Sequence, residues 1–211
     1  MYNSKRKILV LAPHTDDGEF GCGGSIARFI LEGDEVYYAA FSLAEESVPE
    51  GFPKDVLHTE LLKATAVLGI PQKNLLIHKY PVRKLSYHRQ DILENLVAIN
   101  MRVKPDLVLT PSKHDVHQDH FTVTQEAMRA FKFTSILGYE LPWNNYQFET
   151  SCFVHLSEKH LQLKLESLQC YRSQIGRKYS NEEYIRGLAL TRGVQIGGKY
   201  AETFNLIRWI I

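Results

Sequence analysis

Hydrophobic and polar positions follow two rhythms along this chain. Short unbroken apolar runs, beginning with Ile8-Leu9-Val10-Leu11-Ala12, have the pattern of strands buried on both faces. Between them, apolar residues recur every three or four positions. Ile26, Phe29 and Ile30 predict a helix over 23–32, Leu57, Leu61, Ala64 and Leu68 one over 55–68, and Ile92, Leu96 and Ile99 one over 91–103. Gly69 and Pro71 are stop signals for the second of these. Strands are expected at 35–41, 75–77, 106–110 and 136–139, with a helix near 121–131. After Phe131 the rhythm loosens into a loop at 142–146, a strand at 148–154, helices at about 158–170 and 181–192, and a late strand at 204–211. Strand–helix alternation of this kind predicts an α/β fold with a Rossmann-like, mostly parallel sheet flanked by helices. No repeat, linker or low-complexity segment interrupts it, so residues 1–211 read as a single domain with a C-terminal elaboration.

Composition narrows the classes. With 44% hydrophobic and 23% charged residues, the chain is an average globular mixture, which excludes disorder and collagen-like repeats. The balance of 25 Lys+Arg against 24 Asp+Glu leaves +1, and gives no electrostatic reason to expect nucleic acid or anionic lipid as a partner. The basic start meets Asp16 and Asp17 soon after its apolar run, unlike a signal peptide, and no stretch approaches the roughly 18 apolar residues of a transmembrane segment. Cys22, Cys152 and Cys170 are odd in number and scattered, without a CxxC, so a reducing, cytoplasmic setting is expected.

In an open α/β sheet, ligands bind where strands end. Two expected strand ends are rich in metal-binding side chains: Pro13-His14-Thr15-Asp16-Asp17-Gly18-Glu19 after the first strand, and His114-Asp115-Val116-His117-Gln118-Asp119-His120 after the fourth. They hold four of the nine histidines and four of the eight aspartates. Imidazole nitrogen and carboxylate oxygen are the donors a borderline divalent ion such as zinc prefers, and a catalytic site keeps one position open. Helix capping by Asp16, Asp17 or Asp119 is the plainer alternative, although caps need no histidine. Gly21-Cys22-Gly23-Gly24 invites a dinucleotide reading, but the spacing departs from GxGxxG and three nearby carboxylates would repel a diphosphate. The glycines are better explained by close packing of loop and helix. His114 and Asp115 stay open between a ligand or partner role and a place on the loop rim. Trp143 and Tyr146 could form an aromatic wall, with ordinary packing as their default.

These residues resemble a known family. Ala12-Pro13-His14-Thr15-Asp16-Asp17-Gly18-Glu19 with Gly21-Cys22-Gly23-Gly24 is similar to the AHPDDE…GCGG signature of the PIG-L/LmbE-like zinc deacetylases, and His117-Gln118-Asp119-His120 to their HPDH motif. Tyr171-Arg172-Ser173-Gln174, Arg192-Gly193 and Tyr200-Ala201-Glu202-Thr203-Phe204 resemble later family elements, so the likeness spans nearly the whole chain. It implies zinc, or another divalent ion in its place, bound by His14, Asp17 and His120. It further implies Asp16 as the base that takes a proton from zinc-bound water, His117 as the group facing the oxyanion, and Asp119 as the residue holding a histidine in its working tautomer. Glu19, Trp143, Arg192 and Glu202 complete the candidates, as substrate contacts. The implied reaction is removal of the N-acetyl group from an N-acetylglucosamine-type sugar in a glycoside, glycolipid or nucleotide sugar. Members commonly form trimers or hexamers.

Thr15 stands where proline is usual, Pro13-His14 replaces the ordinary Ala-His step, and Leu57-His58-Thr59-Glu60 occupies a place where members often carry arginine. No expected ligand is lost, but the sugar's substituent is open to change. The rival functions are another metal-dependent amidase or a phosphoesterase, and an inactive sugar- or nucleotide-binding module. A two-metal phosphoesterase would need more carboxylates than these turns supply.

Overall fold

The computed structural model describes residues 5–211. Strands β1 (Lys7–Ala12), β2 (Glu35–Ala40), β3 (Leu75–Ile77), β4 (Leu107–Pro111), β5 (Ser135–Tyr139), β6 (Cys152–Leu156) and β7 (Tyr200–Arg208) form one sheet in the order β3-β2-β1-β4-β5-β7-β6. The pairs from β3 to β5 are parallel, whereas β7 runs antiparallel to both β5 and β6. Six helices cover the sheet: α1 (Asp17–Leu31), α2 (Val56–Leu68), α3 (Arg89–Val103), α4 (Gln118–Ala130), α5 (Glu158–Leu168) and α6 (Glu182–Val194).

The pleat explains the layering. Ile8, Val10 and Ala12 of β1 join one core with Ile26, Leu61 and Leu161, whereas Leu9 and Leu11 point the other way, to Ile92, Leu96 and Val123. A strand apolar on both faces therefore needs helices on both sides. The chain leaves β1 toward β2 and β3 in one direction and β4 toward β5 in the other. The ends of β1 and β4 thus flank the crevice where strand order reverses, the place at which α/β sheets bind ligands.

Several boundaries depart from expectation. α1 begins at Asp17 rather than at residue 23, because the glycine-rich run is itself helical, with a break at Cys22 (φ −147°, ψ 24°). Gly21 is needed there: a Cβ would lie 2.2 Å from the Tyr139 ring, whose hydroxyl donates to the Leu11 carbonyl at 2.9 Å. No pyrophosphate cradle is left open. The break frees backbone N–H groups, and the buried Glu202 takes them up. Its carboxylate accepts from Gly24 N (3.0 Å), Ser25 N (2.7 Å) and Ser25 Oγ (2.6 Å), and pairs with the buried Lys164 at 2.6 Å. β6 starts at Cys152 instead of residue 148, and β7 at Tyr200 instead of 204. α4 starts at Gln118, three residues early, because its cap comes from the preceding motif. Among the described residues no helix is long and apolar enough to cross a membrane.

Candidate metal centre and catalytic cleft

Each implied ligand sits on a turn leaving β1 or β4. His14 follows β1, and its backbone N–H donates to Asp17 Oδ2 at 2.7 Å, closing the turn. His120 lies in the first turn of α4. Its ring and that of His14 meet in the crevice, with His120 Nε2 3.2 Å from His14 Nδ1. Asp17 Oδ2 is 3.1 Å from His14 Nδ1 and 3.2 Å from His120 Nε2. The three atoms form a nearly equilateral triangle. Three ligands of a tetrahedral zinc at about 2.0–2.1 Å would stand about 3.3–3.4 Å apart.

The far side of each imidazole settles where its lone pair points. His14 Nε2 is 3.0 Å from Asp119 Oδ2, and His120 Nδ1 is 2.8 Å from Asp115 Oδ2. An N–H donated to each carboxylate leaves the lone pairs of His14 Nδ1 and His120 Nε2 directed at the triangle. Three acceptors so close repel one another unless cations or protons intervene. Burial opposes a charge on His14, but Asp17 and Asp119 outweigh it and raise its pKa to about 9. For His120 burial is likewise overcome, by Asp17 and Asp115, to about 10. Burial acts against the charge of Asp17 too, yet the two histidines hold its carboxyl well below the usual range. His117 also joins a group of donors with His14 and His120, all within 4.8 Å of one another.

His117 has a second duty. It is the N-cap of α4, its Nδ1 accepting from Asp119 N at 3.2 Å. The expectation that caps need no histidine fails here, and neither Asp16 nor Asp119 supplies a side-chain cap. An accepting Nδ1 puts the proton of the neutral ring on Nε2, leaving a donor for the cleft. Burial, then the charges of His120 and His14, lower its pKa to about 4. His117 is therefore a neutral donor rather than an imidazolium.

Asp16, His117 and the triangle share a cleft of about 230 Å³. Asp16 has no side-chain hydrogen bond, and burial, then the charge of Asp17, pushes it up to about 6. Asp119 lies beneath the cleft, accepting from Arg83 N (2.6 Å) and Leu85 N (3.2 Å) while holding His14. Asp115, left open by the sequence, is buried behind His120 and also accepts from His117 N at 2.8 Å. His114 does not line the cleft.

The expected substrate contacts separate. Trp143 lines the cleft, stacked on Tyr179 at 4.0 Å with Phe20 edge-on to both. Tyr146 is exposed elsewhere. The other three lie outside the lining. Glu202 braces the break in α1, and Arg192 forms an ion pair with Glu140. Glu19 is fully buried between Tyr38 (2.5 Å) and Tyr171 (3.0 Å), and burial raises its pKa to about 8. The opposite wall is aliphatic, made by Ala44, Leu57 and Val82. Arg83, Arg177 and Tyr179 also line the cleft, and no motif singled them out.

A model of the family PIG-L, GlcNAc-PI de-N-acetylase, matches residues 9–131. The chain is 30% identical over 181 residues to the uncharacterized deacetylase YaiS of Escherichia coli (strain K12), covering 81% of this chain and 93% of that protein. It is 22% identical to the diacetylchitobiose deacetylase of Thermococcus kodakarensis, over 98% of this chain and 85% of that one. The solved structure of the 4-carboxy-2-hydroxymuconate hydratase GalB of Pseudomonas putida KT2440 shares the fold, with a TM-score of 0.77, 20% identity and 98% of each chain covered. A hydratase on this fold means that side chains, not architecture, decide the reaction. Both histidine- and aspartate-rich turns fall inside the matched stretch, and the chain belongs to the PIG-L family.

Proposed function

We propose that this protein is a zinc-dependent hydrolase that removes the acetyl group from an N-acetylglucosamine-type sugar. The observation that carries the reading is the triangle of His14 Nδ1, Asp17 Oδ2 and His120 Nε2 on the floor of a cleft that also holds an unpartnered carboxylate, Asp16. Two imidazoles and one carboxylate suit zinc, although the same donors accept other divalent ions. The chemistry such an ion supplies is polarisation of an amide carbonyl and a water pKa lowered toward 7.

The side chains supply the rest. Asp16, with a pKa of about 6, is matched to take a proton from the attacking water near neutral pH. The Nε2–H of the neutral His117 donates to the carbonyl oxygen as it gains charge. Breakage of the C–N bond then needs a proton on nitrogen. Asp16 returns the one it took, and acetate and the free amine leave. Asp115 and Asp119 hold the two ligand rings and touch no substrate. Trp143 offers an aromatic face to the sugar.

The decisive experiment compares metal-stripped and zinc-reloaded protein for acetate release from a set of N-acetylated amino sugars. Release only by reloaded protein supports the reading, and no release from any member defeats it. Free Cys22, Cys152 and Cys170 fit a cytoplasmic setting. A trimer or hexamer is the assembly that sedimentation would test.

A further inference from the structure

Of the three acids that follow β1, Asp16 and Asp17 line the cleft and Glu19 does not. The Glu19 carboxyl is fully buried between two phenols, with Tyr38 Oη 2.5 Å from Oε2 and Tyr171 Oη 3.0 Å from Oε1. Both hydroxyls also reach the backbone carbonyl of Thr15, Tyr38 at 3.0 Å and Tyr171 at 2.6 Å. One carbonyl oxygen is thus gripped from β2 and from the segment that follows α5. Tyr38 fits there because residue 18 is glycine. A Cβ at Gly18 would lie 2.5 Å from the ring, and the Gly18 N–H donates to the hydroxyl at 3.2 Å.

The protons available give Glu19 its place. Two phenolic protons face three acceptors, the Thr15 carbonyl oxygen and both oxygens of Glu19. If both phenols served the carboxyl group, the buried Thr15 carbonyl would lose its donor. A proton on Glu19 resolves the conflict. Whichever phenol donates to Thr15 then accepts from Glu19, and the other phenol donates to Glu19. Every group is bonded, with no charge left in the interior.

The clamped carbonyl belongs to the planar peptide that leads into Asp16. On the other side of that residue, the Asp16 carbonyl accepts from Phe20 N at 3.1 Å. Both peptide planes flanking Asp16 are therefore held, at φ −106° and ψ −6°. Its carboxylate has no side-chain hydrogen bond of its own, so the backbone sets where it points. We infer that Glu19 is a positioning residue: with Tyr38 and Tyr171 it clamps the Thr15 carbonyl and thereby fixes the direction of the Asp16 carboxylate in the cleft. What Asp16 does there rests on the deacetylase reading; the clamp rests on the hydrogen-bonded groups alone.

The test is a set of variants of the zinc-loaded protein, assayed for acetate release from the methyl glycoside of N-acetylglucosamine. Glu19→Leu fills the space without a polar atom, Glu19→Gln offers an amide N–H and C=O in the same shape, and Tyr171→Phe removes one hydroxyl but keeps the ring. Glu19→Leu should lower kcat about 10- to 100-fold, the scale of a misplacement of about 1 Å. KM should stay near its wild-type value and zinc should still bind stoichiometrically. Glu19→Gln should restore most of the rate. In an Asp16→Asn background no base is left to aim, so Glu19→Leu should cost nothing further. An equal loss in both backgrounds, or a loss in Glu19→Gln as large as in Glu19→Leu, would overturn the inference. Tyr171→Phe repeats the comparison should Glu19→Leu fail to fold. Amide hydrogen exchange needs no turnover, and over residues 14–20 it should quicken in Glu19→Leu but not in Glu19→Gln. Unchanged exchange would overturn the clamp and leave the deacetylase intact. Quickened exchange in a protein whose wild type releases no acetate would support the clamp and defeat the deacetylase.

Discussion

Asp115 Oδ2 lies 2.8 Å from Nδ1 of His120, and through that bond a loop aspartate fixes which nitrogen of the ring faces His14 and Asp17. Removal of the carboxylate in Asp115→Ala frees the ring to rotate and lowers its basicity. Zinc affinity should fall about 10- to 100-fold, as is typical for such partners. Competition against a chromogenic chelator would measure it, and an unchanged affinity would show that His120 is not a ligand.

Asp16 has no place in the triangle, so its loss should spare the metal. Asp16→Asn is expected to bind zinc stoichiometrically while kcat drops about 10²- to 10⁴-fold. Elemental analysis beside an acetate-release assay separates the two effects. Near-full turnover would remove Asp16 as the base.

Metal and protons compete for the same atoms. Without metal, His14 titrates at about 9 and His120 at about 10, so both are charged at pH 7. Binding a cation at their lone pairs must displace protons, up to two per ion. Apparent affinity should therefore rise with pH up to about 9–10 and weaken as pH falls. Calorimetry in buffers of differing ionisation enthalpy would count the released protons. No release near pH 7 would contradict a site made from these two nitrogens.

Lys164 tests the brace behind the first helix. Lys164→Met leaves Glu202 buried without its cation, although the bonds to Gly24 and Ser25 remain. Breaking a buried pair of this kind costs about 3–5 kcal/mol, to be read from the denaturant midpoint. A shift below about 1 kcal/mol would mean that the backbone bonds alone neutralise Glu202.

The parallel half of the sheet was legible because Ile8 to Ala12 and its counterparts are unbroken apolar runs, and the triangle because His14, Asp17 and His120 lie in compact motifs. Asp115 was half-legible: it belongs to the second motif, but nothing in the spacing says that it points at His120. Arg83 and Arg177 carried no signal, since they reach the cleft from loops whose path depends on tertiary packing. Glu202, Arg192 and Glu19 lie outside the cleft lining, where Glu202 binds the backbone N–H groups of Gly24 and Ser25, Glu19 meets the Tyr38 and Tyr171 hydroxyls and Arg192 pairs with Glu140, partners that motif spacing does not announce. The helix start at Asp17 was missed because glycines at 18, 21, 23 and 24 have poor helical propensity, which packing against Tyr139 and capping by Glu202 override.

That last contact ties residue 24 to residue 202. The helix that begins at Asp17, a proposed ligand, has its break at Cys22 braced by a residue of β7, the strand that lies between β5 and β6. A nascent chain leaving the ribosome would thus expose every metal donor, from His14 to His120, long before it could hold them rigidly. On the proposed ligand set, a divalent ion meeting such a chain would find loose ligands until residues 200–208 had joined the sheet.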